Sequence, residues 1–152
     1  MEIRTATIND IDQIAALFTE QFDIQAALQP YLMQRGTQDR QFIENTIADD
    51  DSQLFVAEEA GKIVGFVSVF EKKSNDFSFM VQRKYAYLMD IIVTKKQQKK
   101  GIAAQLMNEV KQWAIDRKLD YIKLSVAANN NAVDFYIKSG YEEIGKTMIH
   151  RL

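Results

Sequence analysis

Cysteine is absent from the 152-residue sequence, which contains only one histidine, His150, and only one proline. Without cysteine the chain can form no disulfide, no thiolate metal site and no cysteine nucleophile. The lone histidine lies next to the C-terminus, so zinc sites and serine–histidine catalysis lack the ligands or the base that they need. We therefore expect no metal, and the composition is compatible with a reducing cytoplasm.

Neither sign of charge dominates, because 19 Lys and Arg residues stand against 21 Asp and Glu residues, for a net charge of −2. This balance argues against a nucleic-acid-binding protein. No apolar run reaches the roughly 18 to 20 residues that span a bilayer, and the N-terminal segment MEIRTATIND lacks the apolar core of a signal peptide. With 47% hydrophobic residues, the sequence predicts one globular domain over residues 1–152, cytoplasmic and without a membrane partner.

The first third of the chain predicts one strand and two helices. Polar and apolar residues alternate over Glu2 to Thr7, and Thr7 or Asn9 then offers a side-chain cap for a helix that should end before Pro30. Helical spacing places one set of apolar side chains on a single face of this helix: Ile11, Ile14, Ala15, Phe18 and Phe22. A second helix, less clearly marked, includes Phe42, Ile43 and Ile47 and precedes a solvated acidic turn at Asp49–Asp51.

The rest of the chain alternates strands and helices. A tight turn at Ala60–Gly61 predicts an antiparallel hairpin, and the nearly continuous apolar run of YAYLMDIIV predicts a central strand covered on both faces. The predicted strands are Gln53–Glu59, Lys62–Glu71, Tyr85–Val93 and Tyr121–Val126, the helices are Gly101 to about Arg117 and Asn129–Ser139, and one or two closing strands lie in Tyr141–Arg151. The order is β-α-α-β-β-β-α-β-α-β, with a further strand permitted, and it indicates an α/β fold.

Two glycine motifs compete for the role of a phosphate site. Residues Gly140–Thr147 fit the P-loop pattern G-x-x-x-x-G-K-[ST] literally, but they follow a predicted helix, leave no room for another, and include Glu142 and Glu143. Since a phosphate-binding loop must open a helix and avoid carboxylates, a closing strand is the better interpretation.

The second motif, Gln98–Ala103, lies between the predicted central strand and a strongly amphipathic helix. The first N–H groups of a helix have no intrahelical partners, and the helix dipole places partial positive charge there. Gly101 and Ala103 leave room for a phosphate oxygen to approach the backbone, and the lysines Lys95, Lys96, Lys99 and Lys100 add positive potential. Taken alone, the hexamer is equally consistent with a solvated basic turn.

A second segment, Asn129–Tyr141, resembles the pattern N-x-x-A-x-x-[FL]-Y-x-x-x-G-[FY] of the GCN5-related N-acetyltransferase (GNAT) family. Gln98-x-x-Gly101-x-Ala103 is similar to the acyl-coenzyme A signature of that family, [RQ]-x-x-G-x-[GA]. Both occur in the order and at the separation that the family shows. The resemblance covers nearly the whole chain and implies a mixed sheet, in which Tyr85–Val93 and Tyr121–Val126 run parallel and splay apart to admit acetyl-coenzyme A.

The resemblance also assigns residues to the cofactor, which is a co-substrate here. It implies that backbone groups of Ile91, Ile92 and Val93 bind the pantetheine arm and that N–H groups from Gln98, Lys99, Lys100, Gly101, Ile102 and Ala103 bind the pyrophosphate. It places Asn129 against the pantetheine and the Tyr136 phenol near the thioester sulfur.

The implied reaction is direct attack of a neutral amine on the thioester. A backbone N–H group would stabilise the oxyanion, and the candidate is that of Val93. Tyr136 would protonate the leaving thiolate, because a phenol has a pKa of about 10; the alternative is an aromatic side chain that only packs. Asp90, the one carboxylate in its strand, is a candidate base or else a structural acid. The family's glutamate base corresponds to Tyr87, so a base acting through water stays open.

We therefore expect an acetyl-coenzyme A-dependent N-acyltransferase acting on a primary amine of a small molecule or a peptide. The alternative is a non-catalytic acyl-coenzyme A-binding or interaction domain of the same fold. No motif identifies the acceptor, and self-association is left open, with a homodimer as the expectation.

Overall fold

The computed structural model describes residues 1–152 and contains one five-stranded sheet with the strand order β1-β2-β3-β4-β5. The first four strands pair antiparallel, whereas β4 and β5 run parallel, so the sheet is mixed, as the family resemblance implied. The strands are β1 Glu2–Thr5, β2 Ser52–Glu59, β3 Lys62–Lys73, β4 Lys84–Val93 and β5 Tyr121–Lys123.

Four helices cover the two faces of the sheet: α1 Ile11–Leu28, α2 Arg40–Ala48, α3 Ile102–Asp116 and α4 Ala132–Lys138. The α1 and α2 helices pack against one face, in an apolar core that includes Phe18, Ile43, Phe66 and Ile92. On the other face α3 contributes a second core that includes Tyr136 of α4. Each apolar face follows the helical spacing read from the sequence.

The β3 strand is the most continuously buried strand of the sheet. In β3 the residues from Ile63 to Val69 are all buried, because this strand lies inside the sheet with helices over both faces. It follows β2 through Ala60 and Gly61, whose φ angles of 50° and 76° belong to the left-handed region that a tight hairpin turn requires. The predicted hairpin is therefore confirmed.

The start of α1 is held by a buried ion pair. Asp10 accepts two hydrogen bonds from the guanidinium of Arg4, at 2.8 and 2.9 Å, and a third from the backbone N–H of Thr7 at 2.7 Å. These donors hold the pKa of Asp10 at about 2, below the value of 3.8 of a free carboxyl. Arg4 also contacts Glu58, so β1, β2 and the first turn of α1 are joined at one point.

Two sequence-based expectations were wrong at the C-terminal end. The strand predicted for Tyr121–Val126 stops at Lys123, and the closing strands predicted within Tyr141–Arg151 are not formed. β5 pairs with β4 over three residues only, and such a short strand offers little edge for a further strand to pair with. The apolar side chains of this C-terminal segment are accordingly exposed, Ile144 by 78% and Met148 by 88%.

None of the four helices combines the length and the apolar character that crossing a bilayer requires.

Candidate active site

The central feature of the site is a wedge-shaped gap between β4 and β5. The two parallel strands are paired only through Tyr85–Tyr121, Ala86–Ile122 and Tyr87–Lys123. From Leu88 to Val93 the β4 strand has no partner on its β5 side. The predicted divergence of these two strands is therefore present, and it exposes a row of backbone donors and acceptors within the sheet.

The direction of these backbone groups follows from a single hydrogen bond beyond the end of β4. The N–H of Thr94 donates to the carbonyl of Val64 at 2.8 Å and therefore points toward β3. Successive N–H groups of a strand point in opposite directions, so the N–H groups of Val93 and Ile91 face the gap while that of Ile92 faces β3. Of the three residues assigned to the pantetheine, two thus present N–H groups to the gap.

Close packing of β3 against β4 supports this arrangement. Gly65 lies opposite Val93, and a Cβ atom at Gly65 would lie only 2.8 Å from the carbonyl oxygen of Ile92. A side chain there would displace the backbone that carries the Val93 N–H group.

A β-bulge at Met89 changes the side-chain alternation of β4. Ser68 pairs with Asp90 and Val69 with Leu88, which leaves Met89 unpaired. As a result Leu88 and Val93 lie in the core under α3, whereas Asp90 points to the α1 face. The sequence pattern of β4, nearly continuous in its hydrophobicity, gave no sign of this bulge.

The α3 helix begins at Ile102, beyond the end of β4, and Gly101 is its N-terminal cap residue. The φ angle of Gly101 is 80°, in the left-handed region, and the space around its Cα is open. The N–H groups of Ile102, Ala103 and Ala104 have no hydrogen-bond partner in the chain, as expected at a helix start. Exposed lysine side chains follow one another through this loop: Lys95, Lys96, Lys99 and Lys100. The arrangement fits an anionic group such as a pyrophosphate.

Side chains hold this loop in place. Gln98, predicted to bind the cofactor through its backbone, uses its side-chain amide to donate to the carbonyl of Val93 at 3.0 Å. Lys100 donates to Gln97 Oε1 at 2.6 Å. From α1, Glu20 accepts hydrogen bonds from the backbone N–H of Lys95 at 2.8 Å and from the Thr94 hydroxyl at 3.1 Å. Nothing in the sequence pattern pointed to Glu20, since it lies in a different element some distance along the chain.

Tyr136 lies in the core between α3, α4 and the sheet, and only 8% of the residue is exposed. Its ring contacts those of Phe135 and Tyr141, with centroids 5.5 and 5.8 Å away. The hydroxyl makes no hydrogen bond within the protein, and burial raises the pKa of the Tyr136 phenol above 10.0. The phenol is thus protonated at neutral pH and free to donate to a ligand.

Asp90 belongs to a polar cluster on the other face of the sheet. Its Oδ2 accepts a hydrogen bond from the Ser68 hydroxyl at 3.0 Å, and its Oδ1 accepts one from Gln21 Nε2 at 3.2 Å. Burial raises the pKa of Asp90 above 3.8, and the two hydrogen bonds oppose this shift. The amide oxygen of Gln21 is buried and has no donor.

Gln21 and Ser68 were missed as partners of Asp90, although each leaves a trace in the sequence. Gln21 follows Phe18 by three positions and so lies on the apolar face of α1. Ser68 is the one polar side chain within the apolar run of β3. A polar residue on an apolar face requires a buried partner, and here the partner is Asp90.

Asn129 has a contact within the chain. Its side-chain amide donates to the carbonyl of Leu28, the last residue of α1, at 2.8 Å. This hydrogen bond joins the loop before α4 to the end of α1. The predicted helix Asn129–Ser139 begins only at Ala132, whose N–H donates to Asn130 Oδ1 at 2.9 Å.

The competing P-loop interpretation is not supported by the fold. Gly140 follows the end of α4, and no helix begins anywhere in Tyr141–Leu152. Without a helix start the backbone N–H groups needed to cradle a triphosphate are not gathered there.

Comparisons with known proteins identify the family to which this α/β fold belongs. The family described as "Acetyltransferase (GNAT) domain" matches residues 31–151. An uncharacterized N-acetyltransferase of Archaeoglobus fulgidus is 27% identical over 130 residues, 86% of this chain and 84% of that protein. The chain therefore belongs to the GNAT acetyltransferase family, as the sequence motifs indicated, and the non-catalytic alternative is not favoured.

Solved structures share this fold over the whole chain. A tetramutant of the BH1408 protein from Bacillus halodurans has a TM-score of 0.94 at 23% identity, and the match covers 100% of each chain. The aminoglycoside N-acetyltransferase AAC(6′)-Iy, in complex with CoA, has a TM-score of 0.76 at 16% identity, covering 99% of this chain and 98% of that chain.

Proposed function

We propose that this protein transfers the acetyl group of acetyl-coenzyme A to a primary amine by direct attack within a ternary complex. The observation that carries the proposal is the pairing of β4 and β5 over only three residues, followed by the unpartnered N–H groups at the start of α3. A gap of this kind provides a backbone edge for an extended amide-containing arm and an anion site beyond it.

The N–H groups of Ile91 and Val93 face the gap and suit the amide groups of a pantetheine arm. The loop Gln98–Ala103, with the free N–H groups at the start of α3, suits the pyrophosphate. The similarity in fold to AAC(6′)-Iy, whose structure contains CoA, supports this assignment. For Asn129 the same role requires its side chain to leave Leu28 or to bind through its other groups.

The two candidate proton-transfer groups lie on opposite faces of the sheet. Tyr136 belongs to the core under α3, whereas Asp90 contacts Gln21 of α1. In a ternary complex the thioester and the amine must meet from different directions, and a gap through the sheet allows this. The phenol of Tyr136 is then on the side of the leaving thiolate and Asp90 on the side of the amine.

In the proposed reaction the lone pair of a neutral amine forms the new N–C bond while the C–S bond breaks. The N–H of Val93 donates to the oxyanion that develops on the thioester carbonyl, and this fixed dipole stabilises the transition state. Tyr136 gives its proton to the thiolate sulfur. The proton lost by the amine passes to Asp90 through water, and the hydrogen bonds from Ser68 and Gln21 hold the carboxylate in place.

The proposal is tested by incubating the protein with acetyl-coenzyme A and a panel of primary amines while the release of free thiol is measured. We expect thiol release that requires both protein and amine, together with an acetylated amine of the correct mass. Amine-independent thiol release, or no release with any amine despite bound acetyl-coenzyme A, would contradict the transfer reaction while leaving cofactor binding intact.

A further inference from the structure

A second concave site lies at the opposite end of β4 from Val93. It is an open, solvent-exposed cavity of about 310 Å³, formed where the loop before β4 meets the turn between α3 and β5. This volume is within the range of small-ligand sites. The lining is polar and contains no apolar side chain: Lys73, Gln82, Arg83, Lys84, Lys118 and Asp120.

The charge in this cavity is strongly unbalanced. Four of the lining side chains are cationic, and Asp120 is the only acid among them. Asp120 is already engaged, because its Oδ2 accepts a hydrogen bond from the backbone N–H of Lys84 at 3.1 Å and its Oδ1 lies 3.8 Å from Arg83 Nη1. Since the whole chain has a net charge of −2, the concentration of positive charge here is a local feature and not a general excess.

The backbone of Lys118 provides an independent observation. Its φ is 57°, in the left-handed region. In this turn after α3 the N–H of Leu119 donates to the carbonyl of Ala114, and the N–H of Lys118 donates to the carbonyl of Ile115. This is the helix-ending turn in which glycine is strongly preferred, because a side chain is strained there. The chain places a lysine there, and its side chain lines the cavity.

We propose that this cavity binds a small ligand bearing a phosphate-type oxyanion, with Arg83, Lys84 and Lys118 as its principal contacts. Lys84 is the first residue of β4 and Arg83 directly precedes it, whereas Lys118 lies in the turn between α3 and β5. An anion between them bridges the two strands at the end where they pair, beside the stacked rings of Tyr85 and Tyr121. Binding therefore stabilises the closed end of the wedge without occupying it. The proposal does not depend on the acetyl-transfer reaction.

The probe for the test is sodium tripolyphosphate, added at constant ionic strength to ¹⁵N-labelled protein. Because the start of α3 is the anion site proposed for the pyrophosphate, binding must be followed residue by residue through the backbone NMR signals. We expect the backbone NMR signals of Arg83, Lys84 and Lys118–Tyr121 to shift and saturate. The tripolyphosphate concentration at half saturation should differ from that of any shift at Ile102–Ala104. Changes confined to Ile102–Ala104, or weak and non-saturating changes at exposed lysines throughout the chain, would overturn the proposal.

Two variants and one control complete the test. The double variant Arg83→Gln with Lys118→Gln should bind tripolyphosphate about tenfold more weakly at the second site. Lys118→Gly should also weaken binding, yet it should raise the melting temperature of the ligand-free protein because it relieves the strained backbone. Lys111→Gln, which removes one exposed lysine from α3, should leave the affinity unchanged. Equal loss of affinity in the Lys111 control and the Lys118 variants would show nonspecific charge attraction and overturn the site.

Discussion

Ser68 donates its hydroxyl hydrogen to Asp90 Oδ2 at 3.0 Å, across the same pair of strands that carries the Met89 bulge. The bulge is what turns Asp90 away from the α3 core and toward Gln21 of α1. Without the extra residue, the alternation of β4 would place position 90 on the other face. The bulge therefore decides both the environment of this carboxyl and its side of the gap.

The first prediction concerns Asp90→Asn and its effect on stability. Because burial raises the pKa of Asp90 in the folded state, ionisation of this group destabilises the fold. The cost is absent below the free value of 3.8, develops as the pH rises through the raised pKa, and persists at pH 7. Asparagine avoids this cost, and its Nδ2 can donate to the unpartnered amide oxygen of Gln21.

We therefore expect Asp90→Asn to raise the free energy of unfolding at pH 7 by about 1 kcal/mol, with the gain shrinking toward acidic pH. Urea unfolding at several pH values measures this difference. Turnover should fall if Asp90 accepts the proton of the amine. If Asp90→Asn were less stable than the wild type at pH 7, ionised Asp90 would not destabilise the fold as proposed. Asp90→Ala is the comparison expected to be destabilising, because it leaves the Ser68 and Gln21 donors without an acceptor.

The second prediction is that Tyr136→Phe lowers kcat by about 100-fold, the usual contribution of a positioned general acid, with little change in KM. The matched control is Tyr141→Phe. Tyr141 belongs to the same aromatic cluster, and burial raises its pKa to about 12. Steady-state kinetics with one amine compare kcat and KM of the two variants. An undiminished kcat in Tyr136→Phe would show that the phenol does not act as the general acid.

The pH profile gives a further consequence for Tyr136. Its raised pKa keeps the phenol protonated above pH 10.0, so loss of the acid should reduce activity only on the far alkaline side. The acidic side of the profile should instead follow the ionisation of the amine, because only the neutral amine attacks.

The third prediction compares two glycines with similar backbone angles. Gly101 has a φ of 80° and Gly61 a φ of 76°, and at both positions no atom lies within 4 Å of the place that a Cβ atom would take. Valine at either position should destabilise the fold by about 2 kcal/mol, through the same left-handed strain. Only Gly101→Val should also weaken acetyl-coenzyme A binding, by about tenfold or more, because its side chain fills the space before α3.

Calorimetric titration of both folded variants measures this contrast. Equal affinities in Gly101→Val and Gly61→Val would contradict the position assigned to the pyrophosphate.

The fourth prediction concerns acid stability. The pKa of Asp10 is lowered to about 2, mainly by its hydrogen bonds to Arg4. The stabilisation is present above the free value of 3.8 and is lost as the pH falls toward 2. Asp10→Asn should therefore cost about 1 to 2 kcal/mol at pH 7 and much less near pH 2. Thermal unfolding across this range measures the loss, and a pH-independent difference would show that packing, and not the ion pair, is responsible.

Features encoded by local periodicity were predictable from the sequence. The hairpin at Ala60–Gly61, the apolar face of α3 and the helix start at Gly101 each depend on residues that are close together in the chain. The glycine motif and the segment around Tyr136 identified the family for the same reason. These are short patterns whose physical requirement lies in a single turn or helix.

Features that depend on pairing between distant segments were not predictable. β5 pairs with β4 over three residues only, and Tyr141–Arg151 forms no strand, although the residue types in both segments suit strands. The contacts of Asp90 with Gln21 and of Asn129 with Leu28 join residues far apart in the sequence. A single sequence contains no measure of such distances.

Amide hydrogen exchange tests the central claim most directly. In the free protein the N–H groups of Ile102, Ala103 and Ala104 have no partner and should exchange fast, whereas the Thr94 N–H, bonded to Val64, should exchange slowly. Saturating acetyl-coenzyme A should slow exchange at Ile102–Ala104 and at Val93, which faces the gap, and leave Thr94 unchanged. Unaltered exchange at these four amides, with acetyl-coenzyme A bound, would contradict the account.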